Sequence, residues 1–324
     1  MIKSQERRSV RGLHHVTAIA GDAQRNVDFY VGVLGMRLVK RTVNQDAPET
    51  YHLFYADAVG NPGTDLTFFI WPNLAKGRAG TGQTVEVALT VPAGSLERWR
   101  ERLLERGTAV GEIGERFGER TLTLADPDGM ALALVESKSP PEIEPWRGSA
   151  VAMEDQIRGF HSVRLLEADA SHTAALLREV FGFVELGSVG GFRRYGLPGG
   201  GASRILDLGE VPAGRGGALG RGSVHHIAWN LGEPSEQEEF RERVAAFGLS
   251  PTPVIDRFWF KSVYFREPGG ALFEAATAGP GFLVDESNAE LGSRLILPPR
   301  FEPYRGEIEA VLPPFELPQA AAKA

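Results

Sequence analysis

Four amphipathic segments, each ended by a glycine, recur at nearly constant spacing along the chain. Val27, Tyr30, Val31 and Leu34 fall at i, i+3, i+4 and i+7 before Gly35. Leu96, Trp99 and Leu103 follow Ser95 and precede Gly107, and a third run extends from Ser171 through Leu177, Val180 and Phe181 to Gly182. The fourth opens with Ser235-Glu-Gln-Glu238, which reads as a capping box, and carries Phe240, Val244 and Phe247 to Gly248. That apolar spacing puts one face of a helix against a core, a Ser cap satisfies orphan amides, and Gly accepts the left-handed turn that ends a helix. The glycines stand 72, 75 and 66 residues apart. A period of this kind means one supersecondary unit repeated four times.

A strand-like run precedes each helix, at 13–19, 85–91, 160–165 and 224–229. Alternating apolar runs follow, such as 51–55 with 66–71 and 121–124 with 130–135, so each unit reads as strand, helix, then about three strands. The second and fourth units match in register over their ends. Arg116-Phe117 lies ten residues before Asp126-Pro-Asp-Gly129, as Arg257-Phe258 does before Glu267-Pro-Gly-Gly270. The fold class expected is α+β, with four tandem βαβββ modules in open, curved, mixed sheets. At 324 residues there is room for roughly two domains. The stretch 137–155, with Pro140, Pro141 and Pro145, reads as the linker, which gives domains 1–145 and 146–297 of two modules each and a Pro-rich arm at 298–324. The Gly-rich stretches 187–201 and 214–222 read as loops.

Composition closes several routes. Without a single Cys there is no disulfide scaffold, no Cys-ligated zinc, no iron–sulfur cluster and no thiol nucleophile. Thirty-five basic against 42 acidic residues leave a formal charge of −7, the wrong sign for a nucleic-acid partner. No segment approaches the ~18 apolar residues of a membrane span, so no membrane partner and a cytoplasmic location are expected.

The chemistry-bearing residues also follow the repeat. His14-His15 and His225-His226 form doublets in the first strands of units one and four. Side chains alternate along a strand, so one His of each doublet faces away from its neighbour. Glu274, in Ala271-Leu-Phe-Glu-Ala275, puts a carboxylate into an apolar strand, which is costly unless it is paired with Arg257 or bound to a cation. Its repeat partner in unit two is Ala133. Two imidazoles and a carboxylate match the facial triad of non-haem Fe(II), with coordination positions left open. His161 reads as a third His at the position of His15 and His226, with Val87 and Ala133 at the remaining positions of its sheet. Spacing alone allows either His15 or His161 to join His226 and Glu274. His52 and His172 have no matching partners and read as surface or packing residues. Gly77-Arg-Ala-Gly-Thr-Gly82-Gln83-Thr84 has Gln where a phosphate loop needs Lys. Trp229 and Trp259 lie near the proposed site strands.

Gly12-Leu-His-His-Val-Thr17, Asp28-Phe-Tyr-Val-Gly-Val-Leu-Gly35 and Glu267-Pro-Gly-Gly-Ala-Leu-Phe-Glu274 resemble the vicinal oxygen chelate superfamily of glyoxalases, extradiol dioxygenases and resistance proteins. The doublets, with Tyr51-His-Leu-Phe-Tyr-Ala-Asp57 and Gly60-Asn-Pro-Gly63, resemble its ring-cleaving dioxygenases of the hydroquinone type, typified by 2,6-dichlorohydroquinone 1,2-dioxygenase. The resemblance runs from about residue 10 to 310 and implies two glyoxalase-like domains. It implies metal ligands at His15, His226 and Glu274, and it favours His15 over His161. It also implies that His14, Thr17, His225, Arg257 and Tyr264 support those ligands or contact the substrate. The activity implied is that of a non-haem Fe(II) extradiol-type (hydroquinone) dioxygenase, with O2 as co-substrate, a small aromatic substrate, and Zn, Mn or Ni as alternative occupants. A homo-oligomer, dimer or higher, is expected. The alternatives are a metal-dependent glyoxalase-like isomerase or lyase and a non-catalytic aromatic-binding or resistance protein. Against the isomerase, the last strand of unit one, 66–71, offers no further carboxylate.

Overall fold

The structure, a computed structural model, describes residues 10–211 and 215–318. Every unit forms in the expected order. The first comprises β1 (Gly12–Ala20), α1 (Ala23–Val27), β2 (Arg37–Asn44), β3 (Ala47–Ala56) and β4 (Asp65–Ile70). The second comprises β5 (Gln83–Pro92), α2 (Leu96–Glu105), β6 (Val110–Arg116), β7 (Glu119–Ala125) and β8 (Ala131–Ser137). The third holds β9 (Phe160–Glu167), α3 (Ser171–Glu179), β10 (Val184–Val189), β11 (Phe192–Gly196) and β12 (Ile205–Glu210). The fourth holds β13 (Val224–Gly232), α4 (Pro234–Ala246), β14 (Ile255–Asp256), β15 (Lys261–Arg266) and β16 (Leu272–Thr277). The four glycines that close the helical segments all have positive φ, between 69° and 97°.

Local details differ from the sequence reading. α1 passes into a π-helical turn at Asp28–Val33. The capping box of α4 is made by Glu233 and Glu236 with Pro234 inside the first turn, two residues ahead of the Ser235 box, because a carboxylate caps amides as a hydroxyl does. Ala170, not Ser171, is the cap of α3. The stretch 187–201 holds the turn and second strand of the β10–β11 hairpin rather than a loop; Gly214 lies outside the described residues.

The strands form two eight-stranded mixed sheets, ordered β14-β15-β16-β13-β1-β4-β3-β2 and β10-β11-β12-β9-β5-β8-β7-β6. Unit one therefore shares a sheet with unit four, and unit two with unit three. The halves 1–145 and 146–297 do not each own a sheet; each contributes one module to both. Within each sheet the two modules join through antiparallel pairing of their first strands, β1 with β13 and β5 with β9. Alternate residues such as Val16, Ile227 and Phe273 enter the core with Tyr30 and Phe240 from the helical segments. The opposite face of the first sheet is left for His15, Thr17, His226 and Glu274.

After β16 the chain returns over unit one. Lys40 of β2, wholly buried, is paired with Asp285 (2.7 Å) and Glu286 of this segment. The Pro-rich arm then packs through α5 (Arg305–Val311), burying Ile308, Leu312 and Phe315, with Arg41 over the Phe315 ring. Residues 319–324 of that arm, and residues 1–9, lie outside the described residues. Among the described residues no helix is long and apolar enough to cross a membrane.

One buried acid outside the first sheet's open face makes stability depend on pH. Glu167, at the end of β9, is fully buried, and neither carboxylate oxygen has a hydrogen-bond partner. Gly269 must be glycine because a Cβ there would stand 1.6 Å from Glu167 Oε2. The oxygens of neighbouring Glu267 already accept from Thr173 Oγ1, the Gly269 amide and the Ala271 amide. Burial, then the Glu267 charge, pushes Glu167 up to about 8 from its usual 4.5. A raised acid binds its proton in the folded state first, so its contribution is present below about pH 4.5 and is lost as pH rises through about 8. Glu167→Gln supplies an N–H donor toward Glu267 that does not titrate. The variant should melt above the parent at pH 8 and show a flatter Tm between pH 5 and 8; an unchanged slope in a calorimetric series would sink this assignment.

Candidate metal centre and pocket

Strand register assembles the centre. His15, Ala228 and Glu274 occupy one row across β1, β13 and β16, and His226 lies two residues before Ala228 on the same face. Ala228 is small and fully buried, so the longer side chains on either side converge above it. His15 Nε2 stands 3.3 Å and His226 Nε2 3.0 Å from Glu274 Oε2, and the two Nε2 atoms are 3.3 Å apart. All three side chains are buried. Ser262 Oγ donates to Glu274 Oε1 at 2.5 Å, but Oε2 has no hydrogen-bond partner.

The doublets explain why these atoms face one another. His14 Nε2 lies 3.1 Å from the carbonyl of Thr277, which only accepts, so Nε2 carries the proton. Burial, then the neighbouring His15, lowers His14 to about 3, so its Nδ1 is a bare acceptor. His15 Nδ1, 3.0 Å away, must donate to it. The remaining lone pair of His15 therefore points at Glu274. His225 Nδ1 and His226 Nδ1 repeat the contact at 2.8 Å. Burial lowers His226, against the pull of Glu274; Glu274, despite its burial, is held well below the usual range by the charge that either imidazole carries when protonated, so it stays ionised. Bare lone pairs about 3 Å apart in a buried site repel unless a cation lies between them. Donors about 2.1 Å from a shared ion and at right angles stand roughly 3.0 Å apart, so this set fits an ion bound on one side.

The histidines open into a cavity of about 470 Å³. Its walls are aromatic, with Phe54, Phe69, Trp71, Trp259 and Phe260, and its polar groups include His52, His225, Arg257 and Tyr264. Trp229, by contrast, is in the core beside Phe181 and Phe183. Tyr264 faces Glu274 in register, and burial pushes its phenol well up, so it keeps its proton. Its oxygen accepts from Arg257 Nε at 3.2 Å, and Ser262 is its second hydrogen-bonding neighbour. Burial, then His226, lowers His225 to about 3. Thr17 lies one strand over, its hydroxyl 2.8 Å from that of Thr67.

His52 was missed. It lines the cavity, and its Nε2 lies 2.8 Å from Thr67 Oγ1; burial holds it well below the usual histidine range. Alternation in β3 carries the signal, because Tyr51, Leu53 and Tyr55 enter the core and His52 and Phe54 face the other way. His172, by contrast, is exposed on α3.

His161 does not join this centre. It lies in the other sheet, with Nδ1 3.0 Å from Ser162 Oγ and Nε2 3.0 Å from Glu119. Core residues Val163 and Val87 pair there as Val16 and Ile227 do in the first sheet. Ser162 thus stands where His15 stands, Glu86 where His226 stands, and His161 where His14 stands. Reading His161 with His15 and His226, and Val87 as the vacant position, is therefore off by one residue, which on a strand exchanges the two faces. Ala133 does match Glu274, since Ala88 pairs with Ala133 as Ala228 pairs with Glu274. Ion pairs of Glu86 with Arg116, Asp207 with Arg194, and Glu119 with Arg194 fill this second face.

Residues 12–134 match the model of the Glyoxalase/Bleomycin resistance protein/Dioxygenase superfamily. Over 94% of the chain and 97% of the relative, it is 42% identical to MhqO of Bacillus subtilis (strain 168), provisionally named a ring-cleaving dioxygenase. The chain belongs to this superfamily. It is also 36% identical to the chlorohydroquinone/hydroquinone 1,2-dioxygenase of Sphingobium indicum, covering 92% of the chain and 95% of that protein. A crystal structure from Bacillus subtilis subsp. subtilis str. 168, provisionally titled a dioxygenase, superimposes with a TM-score of 0.92 at 41% identity, over 96% of this chain and 99% of that one. The two eight-stranded mixed sheets are consistent with two glyoxalase-like domains.

Proposed function

We propose that the protein is a metal-dependent ring-cleaving dioxygenase that acts with O2 on a hydroquinone-like or other dihydroxylated aromatic. The observation that carries this reading is the convergence of His15 Nε2, His226 Nε2 and Glu274 Oε2 at the end of an aromatic cavity. The names of the relatives in two organisms support it. His15, His226 and Glu274 would hold the ion, Fe(II) in this reading with Zn, Mn or Ni as alternative occupants. The ion would supply a binding point for a substrate hydroxyl and for O2 and a path for electrons between them.

The surrounding side chains have definable tasks. The aromatic walls take up the substrate ring and exclude water. His14 fixes the proton of His15 on Nδ1, which keeps Nε2 available as a ligand. His225 Nδ1 does the same for His226, and its other nitrogen, carrying the proton, can donate a hydrogen bond to a substrate hydroxyl oxygen. Tyr264 lines the cavity, its hydroxyl held in place by Arg257. Thr17 orients Thr67 and through it His52.

The glyoxalase-like alternative calls for a further carboxylate from unit one. By register Thr67 stands to Thr17 as Glu274 stands to Ala228, and its hydroxyl is engaged by Thr17 and His52. A three-ligand set favours the oxygenase. Protein loaded anaerobically with Fe(II) should consume O2 when methylhydroquinone is added, with a ring-opened acid as product. No uptake across a panel of quinols and catechols, or turnover of a hemithioacetal without O2, would overturn the proposal.

A further inference from the structure

Among the described residues that line the cavity, Arg257 is the one permanent cation, and Asp46, at the hairpin between β2 and β3, is the one acid. They form a two-pronged pair, Arg257 Nη1 to Asp46 Oδ1 at 3.0 Å and Nη2 to Oδ2 at 2.8 Å, across 211 residues of sequence. The third donor edge of the guanidinium, Nε, is spent on Tyr264. The hairpin is held against Arg257 a second time, since Gln45 Nε2 donates to the Arg257 carbonyl at 2.7 Å. Arg300 donates to Gln45 Oε1 at 2.9 Å from outside the cavity wall. Arg257 is only 14% exposed, whereas Asp46 is 70% exposed. The cation thus belongs to the cavity and the acid is brought to it from the rim.

We propose that Asp46 is a charge filter: by occupying both Nη atoms of Arg257 it restricts the cavity to uncharged quinols and denies carboxylate-bearing ones their anchor. This rests on the quinol reading of the cavity. A planar guanidinium beside an aromatic pocket is otherwise a ready two-pronged receptor for an aryl carboxylate. With Asp46 in place, an incoming carboxylate must displace an existing pair of the same geometry and then lies beside the displaced acid. A quinol without a carboxylate needs nothing from Nη1 or Nη2 and meets only the aromatic walls and the Tyr264 hydroxyl. Asp46 acts through Arg257 and is therefore a positioning residue for specificity rather than a catalytic one.

The test measures ligand binding to the full chain loaded with Zn(II) and kept free of O2, by titration calorimetry, so it does not depend on turnover. Methylhydroquinone and 2,5-dihydroxybenzoate are compared on the parent, Asp46→Asn and Asp46→Glu. Asp46→Asn should tighten 2,5-dihydroxybenzoate relative to methylhydroquinone by at least about tenfold, the scale of freeing one charge-assisted pair. Asp46→Glu, which keeps the charge, should return the parent's preference. Equal shifts for both ligands in Asp46→Asn would overturn the filter while leaving the quinol reading intact, since Asp46 would then serve only to hold the hairpin. Binding of neither ligand to any of the three proteins would overturn the quinol reading and the filter with it.

Discussion

His15→Ala should leave the chain unable to retain a divalent ion through gel filtration and should reduce ring-opening turnover about a thousandfold or more. The expectation rests on geometry. Removing His15 takes away one of only three converging donors and leaves Glu274 Oε2 facing His226 alone. Loss of a partner that merely orients a ligand costs roughly 10–100-fold in affinity or activity, and loss of the ligand itself costs more. His161→Ala is the matched control. His161 touches Ser162 and Glu119 in the other sheet, so metal content and turnover should stay at the parent's level. Metal analysis by mass spectrometry, with circular dichroism to verify folding, reads both variants. The opposite ranking would move the centre to units two and three.

The second large effect comes from completing the symmetry of the centre. Thr67 occupies the position in unit one that Glu274 occupies in unit four, and Thr17 occupies that of Ala228. Thr17→Ala with Thr67→Glu would clear the space and supply a second carboxylate opposite the first. His52 would then bond the new carboxylate as Ser262 bonds Glu274. A fourth protein ligand should tighten metal retention about tenfold or more while closing a position that substrate or O2 needs, so O2 uptake should fall at least about a hundredfold. Competition against a coloured chelator reads the first quantity and an oxygen electrode the second. Parent-level O2 uptake in a variant that holds its ion more tightly would remove the open-position argument.

Both variants depend on a distinction that the linear chain only half contains. Local patterns show themselves without a fold. A helix face repeats every three or four residues, a strand alternates every two, and a glycine at each helix end needs only its own φ. That is why the four units, their order of elements, the two doublets and the misplaced acid at Glu274 can be read from residues alone. Even there a one-residue slip matters. His161 is 21 residues before Gly182 and His14 is 21 before Gly35, yet His161 reads as a mate of His15 until the pairing of Val163 with Val87 fixes the face.

Sequence by itself determined what each module is; only tertiary structure decided which modules meet. All four first strands present a similar edge, and the choice of β13 rather than β5 as the partner of β1 is made by contacts more than 200 residues apart. That choice brings His15 to His226 and Glu274, leaves His161 among ion pairs, turns His52 toward the cavity and carries Asp46 to Arg257. Periodicity is a short-range property of the backbone, whereas sheet partnership is settled by the summed burial of whole faces, and no single segment encodes it.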